Sequence, residues 1–187
     1  FGIVPKPLWE RRIAPDDNNR IPLHMRCLLL EGNGRLILID NGIGDTFAGT
    51  KQQDIYAVDH EVASLEASLA EHGFAPADVT DVVLTHLHFD HCGGSTCRVG
   101  EDRHEVAFPN ATFHIQADHW AWAADPNPKE AGSFLQQNFA PLKASGQVQL
   151  VDGEEELFPG VETLLVHGHT EAQQVVKISG PHAGDDT

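Results

Sequence analysis

Short apolar runs recur along this chain, each bounded by clusters of glycine, proline, asparagine or aspartate. Met25 to Glu31 and Arg35 to Asp40 flank the turn Gly32-Asn33-Gly34, which predicts a β-hairpin. The loop Asp40-Asn41-Gly42-Ile43-Gly44 follows. It matches neither a P-loop nor G-x-G-x-x-G, so a tight turn is expected rather than a phosphate cradle. Val62, Leu65 and Leu69 recur at helical spacing between Asp59, a suitable N-cap, and Gly73, a suitable stop. The pattern predicts a helix over 59–72 with those three residues on its core face. Val82 to Thr85 predicts a strand, and Gly93-Gly94 a close turn. Further on, the pattern predicts a strand over 111–115, a helix over 116–124 broken by Asp125-Pro126-Asn127-Pro128, and a helix over 130–139. Strands follow over 148–151, 161–166 and 175–179. Residues 1–22, rich in Pro, Arg and Asp, predict an irregular arm anchored by Trp9. Strand, loop and helix therefore alternate, as in layered α/β folds, whose binding sites collect at strand ends.

Composition narrows the picture. The chain has 187 residues, of which 41% are hydrophobic. That suffices for one domain with a real core, expected to span 1–187. No apolar run approaches the roughly 18 residues of a membrane span. The chain begins at Phe1 rather than methionine, so its natural start is expected upstream and a signal peptide stays open. The compartment is unknown, with the cytoplasm favoured. Twelve basic against 28 acidic residues give a net charge of −16, which disfavours a nucleic-acid partner. Oligomeric state is not legible. The three cysteines, Cys27, Cys92 and Cys97, do not suggest a disulfide framework. Cys27, in an apolar run, is expected to be a buried thiol; Cys92 could ligate a metal or simply pack.

The chemistry concentrates in Thr85-His86-Leu87-His88-Phe89-Asp90-His91, directly after an apolar run. Imidazole and carboxylate suit zinc, iron or manganese. If the chain stays extended, His86 and His88 face one side, Asp90 continues the alternation and His91 turns to the neighbouring side. The segment could then serve two adjacent ions, His86 and His88 the first, Asp90 and His91 the second. His169, after the strand over 161–166 and the flexible Gly168, is the best third ligand for the first ion. His167 is its rival, or a group that orients a ligand.

His-x-His-x-Asp-His after an apolar strand, with Gly168-His169-Thr170 much later, resembles the metallo-β-lactamase-fold hydrolases. The segment Ile37-Leu38-Ile39-Asp40-Asn41-Gly42 is similar to an early segment of that family, and His88-Phe89-Asp90-His91-Cys92-Gly93-Gly94 resembles its lactonase and organophosphate-hydrolase branch. The resemblance runs from about Arg26 to Ile178. It implies a four-layer αβ/βα sandwich with two divalent ions at the edge between two sheets, zinc first among them. It assigns His86, His88 and His169 to one ion, and Asp90 and His91 to the other. The family's bridging carboxylate and last histidine have no clear counterpart. Asp185 or Asp186 could supply the former, but both fall where a turn is expected, so these ligands are expected beyond Thr187. Glu171-Ala172 also replaces the Pro-Gly that follows the threonine in many relatives, which bears on substrate rather than metal.

The expected activity is hydrolysis of a small ester, lactone or related molecule, with a metal-bound hydroxide as nucleophile and Asp90 orienting it or passing a proton. A mononuclear iron dioxygenase on the same fold is one alternative. A structural zinc protein is another, disfavoured because structural zinc prefers closed, Cys-rich sites. His24, His60, His72, His104 and His182 are expected on the surface or at caps, and His114 as a satisfied, partly buried strand histidine. His119, Trp120 and Trp122 could line a pocket, although that spacing is more common in a core. Glu154-Glu155-Glu156 is expected as a solvated turn.

Overall fold

The computed structural model describes residues 4–100 and 103–180. A short helix α1 (Lys6–Trp9) interrupts the arm, where Trp9 is half-buried. The hairpin forms as β1 (Leu28–Gly32) and β2 (Arg35–Ile39). Asn33 and Gly34 both take positive φ, 51° and 72°, as the tightest hairpin turns require. Helices α2 (Lys51–Tyr56) and α3 (Leu65–Glu71) follow, then β3 (Asp81–Val83) and the single helical turn α4 (Phe89–Cys92). A small hairpin of β4 (Thr96–Arg98) and β5 (His104–Val106) precedes β6 (Thr112–Gln116), α5 (Ala117–Ala124) and α6 (Gln136–Ser145). Strands β7 (Val148–Val151), β8 (Glu156–Phe158), β9 (Val161–Val166) and β10 (Gln173–Ile178) complete the described chain.

Two sheets organise these elements. The larger has the order β1-β2-β3-β6-β7, antiparallel within the hairpin and parallel from β2 onwards. The smaller is the antiparallel β10-β9-β8. Side-chain alternation sorts the core into two clusters. Leu36, Leu38, Val82, Phe113 and Ile115 join Leu69, Trp120, Phe139 and Leu142 from the helices. Ile37, Ile39 and Val83 face the other way, against Val161, Phe158 and Val176 of the smaller sheet. The layer order is thus helices, sheet, sheet, which is why β2 is buried at every position after Arg35.

Two polar side chains share the face between the sheets. Asp81 Oδ1 lies 3.0 Å from His114 Nε2, and its Oδ2 accepts from Arg35 at 2.7 Å. The Arg35 guanidinium also sits 4.5 Å from the Phe158 ring centre. Burial opposes charge on Asp81, yet the hydrogen bonds from His114, Thr80 and Arg35 outweigh it and hold its pKa below the ordinary value.

Several boundaries differ from the pattern. The helix expected over 59–72 is only α3, N-capped by Ser64, whose hydroxyl accepts from Ala67 N–H. Ala57 closes α2 in the left-handed region, and Asp59 spends its carboxylate on Glu61 N–H in a local turn. Val62 is consequently 75% exposed instead of facing the core. The helix expected over 130–139 starts later and runs on through Pro141. Proline lacks the N–H that would bond the carbonyl four residues back; here the Thr96 hydroxyl donates to that carbonyl, Gln137 O, at 3.0 Å. The β4–β5 hairpin, α2 and β8 carry no strong apolar pattern and are additions to the sequence reading. Cys27 is half-buried rather than buried. Asp185, Asp186 and His182 lie outside the described residues. No helix among the described residues is long and apolar enough to cross a membrane.

Candidate metal centre

The parallel strands β2 and β3 deliver the site at their C-terminal ends. Beyond Val83 the chain stays irregular through Leu84 to Leu87, then turns into α4. His88 is the pivot. It has extended backbone (φ −67°, ψ 148°), and its carbonyl accepts the N–H groups of both His91 and Cys92. Alternation therefore stops at His88. Asp90 and His91 are presented by a helical turn, not by the extended strand expected from the spacing.

His86 and His88 are buried, with ring centres 4.7 Å apart. His169 arrives from the turn after β9, where Gly168 adopts φ 149°. Its ring centre lies 5.0 Å from that of His86 and 4.8 Å from that of His88. One ligand atom from each of the three falls within 4.8 Å of the others. His88 Nδ1 and His169 Nε2 are 3.1 Å apart, near the roughly 3.3 Å that separates two nitrogens on tetrahedral zinc with bonds of about 2.05 Å. Nε2 of His86 and Nε2 of His88 are buried with no hydrogen-bond partner in the protein. Buried unpartnered nitrogens are rare and need a reason. Burial first, then the neighbouring histidines, pushes the His86 pKa down to about 2. Burial, then His169, pushes that of His88 down to about 4. Both rings are thus neutral with lone pairs available, the form in which imidazole binds a cation. The donor set fits a divalent ion of the zinc, iron or manganese kind.

His91 and Asp90 form a neighbouring pair. The His91 ring centre is 4.0 Å from that of His86, and His91 Nε2 lies 3.7 Å from Asp90 Oδ2. His91 Nδ1 points the other way, 2.8 Å from Asp40 Oδ2. Burial opposes a charge on His91, but the hydrogen bond and charge of Asp40, helped by Asp90, outweigh it and raise the pKa. Asp40 also accepts from the N–H and hydroxyl of Thr85, both at 2.8 Å. It is held at φ 54°, a region costly for most residues but tolerated by Asp. Three accepted bonds on one carboxylate over-determine that conformation. The Thr85 hydroxyl also lies 3.0 Å from His86 Nδ1, so Asp40 acts on both pairs.

Other surroundings are legible only in the structure. Phe134 packs 4.7 Å from the His88 ring. Glu130 accepts from Trp122 Nε1 at 2.8 Å and from the hydroxyl of buried Thr170 at 3.1 Å, bracing the His169 turn. Those bonds, that of Trp122 foremost, hold the Glu130 pKa down. His119 is buried and hydrogen-bonded rather than lining an open pocket. Asp40 had a sequence signal, an aspartate ending an apolar strand ahead of a glycine; His119 stood out only as a possible pocket residue beside Trp120 and Trp122, and Glu130 had no signal. Cys92 is no ligand candidate: it is fully buried, its thiol donates to Leu87 O at 3.2 Å, and burial raises its pKa. His167 is exposed and pairs with Glu171 at 2.8 Å, outside the His86–His88–His169 group. His114 has a partner on one nitrogen only; its Nδ1 is buried without one.

Known proteins are similar to this chain in sequence and fold. The N-acyl homoserine lactonase of Bacillus cereus is 26% identical over 174 residues, covering 89% of this chain and 62% of its own. A probable metal-dependent hydrolase of Staphylococcus aureus superposes with a TM-score of 0.84 at 30% identity, covering 96% of this chain and 62% of its own. AidC, a dizinc quorum-quenching lactonase in complex with a product, superposes at 0.62 with 26% identity, covering 83% and 52%. The chain thus spans about three-fifths of the length of the curated relatives it matches. The family model described as the metallo-beta-lactamase superfamily matches residues 22–184, enclosing both sheets, Asp40 and all five candidate ligands, and the chain belongs to that superfamily.

Proposed function

We propose that this chain carries the metal-binding part of a dinuclear hydrolase acting on a small lactone or ester. The carrying observation is the convergence of the buried, unpartnered Nε2 of His86 with His88 Nδ1 and His169 Nε2, which lie 3.1 Å apart. That set is open to substrate on one side, since His169 is exposed. Asp90 and His91 would belong to the second ion, with further ligands outside the described residues. The relatives named N-acyl homoserine lactonase make a lactone the first substrate class to test.

When bound, a divalent pair lowers the pKa of water to roughly 7 and polarises a carbonyl. The chain's own groups set the stage for that chemistry. Neutral His86 and His88 supply lone pairs without first losing a proton. Asp40 keeps a proton on His91 Nδ1, which leaves Nε2 free to face Asp90. Asp90, half-exposed beside that site, is placed to accept a proton from the nucleophile or deliver one to the leaving group. Phe134 excludes water from one side of His88.

The test is metal analysis of the full-length protein combined with hydrolysis of a panel of lactones, aryl esters and phosphotriesters. Two ions per chain and metal-dependent lactone opening are expected. A panel with no metal-dependent hydrolysis would sink the reading. The self-contained His86–His88–His169 group favours, as a second reading, a single-ion iron enzyme. One iron per chain with substrate-dependent oxygen consumption would select it.

A further inference from the structure

The three candidate ligands come from two segments far apart in sequence, and one buried side chain outside both joins them. His119, on α5, is 1% exposed. Its Nε2 accepts the Leu87 N–H at 2.8 Å, and its Nδ1 donates to the Glu171 carbonyl at 2.6 Å. Leu87 stands between His86 and His88, and Glu171 two residues after His169. Both tied groups belong to irregular backbone. Left without a partner, the N–H of fully buried Leu87 would carry the cost of an unmet buried donor.

Resting on the metal reading above, we infer that His119 is a positioning residue that sets the spacing between the His86–His88 segment and the His169 turn. Imidazole suits this task because it offers a donor and an acceptor on different edges of one rigid ring. The two bonds assign the tautomer: Nδ1 carries the proton and Nε2 is the acceptor. The ring itself is held by Phe134, whose centre lies 5.7 Å away and which also packs on His88. One backbone bond, Gln174 N–H to Thr85 O at 2.9 Å, joins the same two regions further back. With the Gln174 Nε2 bond to Leu84 O at 2.8 Å, it anchors β10 to the end of β3 but reaches neither Leu87 nor Glu171. His119 reaches the stretch between the ligands themselves. This role lies outside ligation, since neither nitrogen of His119 retains a free lone pair for a cation.

The experiment is a cobalt titration of the full-length apoprotein, read by visible absorption, for wild type and for His119→Ala, His119→Gln and His119→Asn. Glutamine places an acceptor near the position of Nε2, and asparagine a donor near that of Nδ1, so each keeps one tie. His119→Ala is expected to lose about 10- to 100-fold in cobalt affinity, in the range seen when partners that orient ligands are removed. The Gln and Asn variants should fall between it and wild type. Hydrogen exchange of the Leu87 amide in the metal-free protein supplies an independent readout: protected in wild type and the Gln variant, fast in the Asn variant. If the Ala variant does not fold, the Gln and Asn pair carries the test. Wild-type cobalt affinity in the folded variants, even with a lowered Tm, would overturn the positioning role while leaving the metal site standing. A wild-type protein that takes up no cobalt would overturn the metal reading and this inference with it.

Discussion

Asp40→Asn isolates one carboxylate oxygen without disturbing the backbone. Asparagine tolerates the left-handed region about as well as aspartate, so φ 54° adds no new strain. The amide oxygen can still accept from Thr85 N–H, as Oδ1 does now. The amide NH2 then stands where Oδ2 accepts from the Thr85 hydroxyl and from His91 Nδ1, both at 2.8 Å. A donor facing Nδ1 forces that nitrogen to become the acceptor, which moves the ring proton to Nε2. Nε2 is the atom that faces Asp90, so the lone pair proposed for the second ion is lost. The first-ion group keeps its three histidines.

A hydrogen bond to a charged group is worth about 1.5–3 kcal/mol. The lower end applies here, because the His91 side chain is 36% exposed while that of Asp40 is 13% exposed. About 1.5 kcal/mol corresponds to a drop of roughly 3–6 °C in Tm for a chain of this size. The effect on the second ion is at least comparable to the effect on stability: a tautomer switch at a ligand costs about 10- to 100-fold in affinity. Thermal unfolding and competitive metal titration of the full-length protein measure the two separately. Two ions bound with wild-type affinities in Asp40→Asn would refute the tautomer argument. Loss of the first ion together with the second would show that Asp40 acts on His86 through Thr85 more strongly than on His91.

Other changes give equally definite outcomes. His88→Ala should lose the first ion and more than about 100-fold of hydrolysis, beyond what partners of a ligand contribute; metal content and initial rates check it. Asp90→Asn should retain the first ion while turnover falls heavily, seen as two-ion stoichiometry dropping to one. A chelator should abolish activity and leave the circular dichroism spectrum largely intact, because two extended hydrophobic clusters hold the sheets and helices together, whereas a structural metal would take the fold with it. Asp81→Ala should lower stability by about 1–3 kcal/mol by stripping partners from His114 and Arg35. The sign of the matching pH effect follows from the lowered Asp81 pKa: its contribution is fully present above the ordinary value of 3.8 and is lost as pH falls through the folded-state value. Denaturant titrations of wild type and Asp81→Ala should therefore converge in strong acid.

Legibility of the fold varied with how local the deciding interaction is. The β1–β2 turn was legible because Asn33 and Gly34 are the residue types that accept positive φ, whatever packs around them. Strands β7 and β9 matched their apolar runs residue for residue. The start of α3 was not legible: Asp59 and Ser64 are equally good caps by type, and only the left-handed end of α2 at Ala57 moves the choice to Ser64. The bounds of helix α6 have a tertiary cause. Pro141 is tolerated inside it because Thr96, 41 residues away, satisfies the carbonyl the proline strands.

The candidate metal centre shows the same division within a single motif. Spacing alone suggested that Asp90 would share the face of His86 and His88, because it continues an alternation by two. The structure ends that alternation at His88, whose carbonyl gathers the His91 and Cys92 N–H groups into a helical turn. Residue type thus singles out the candidate ligands, but the change from extended to helical backbone decides which group each would join. That change is stabilised from a distance: Asp40, at the end of the neighbouring strand, holds Thr85 before the turn and His91 inside it. A motif with the same letters and no carboxylate at position 40 would still hold the first three-histidine group. It would lack the hydrogen bond that orients His91 toward the proposed second site, so the aspartate that ends β2 bears on the one-ion against two-ion reading as Asp90 inside the motif does.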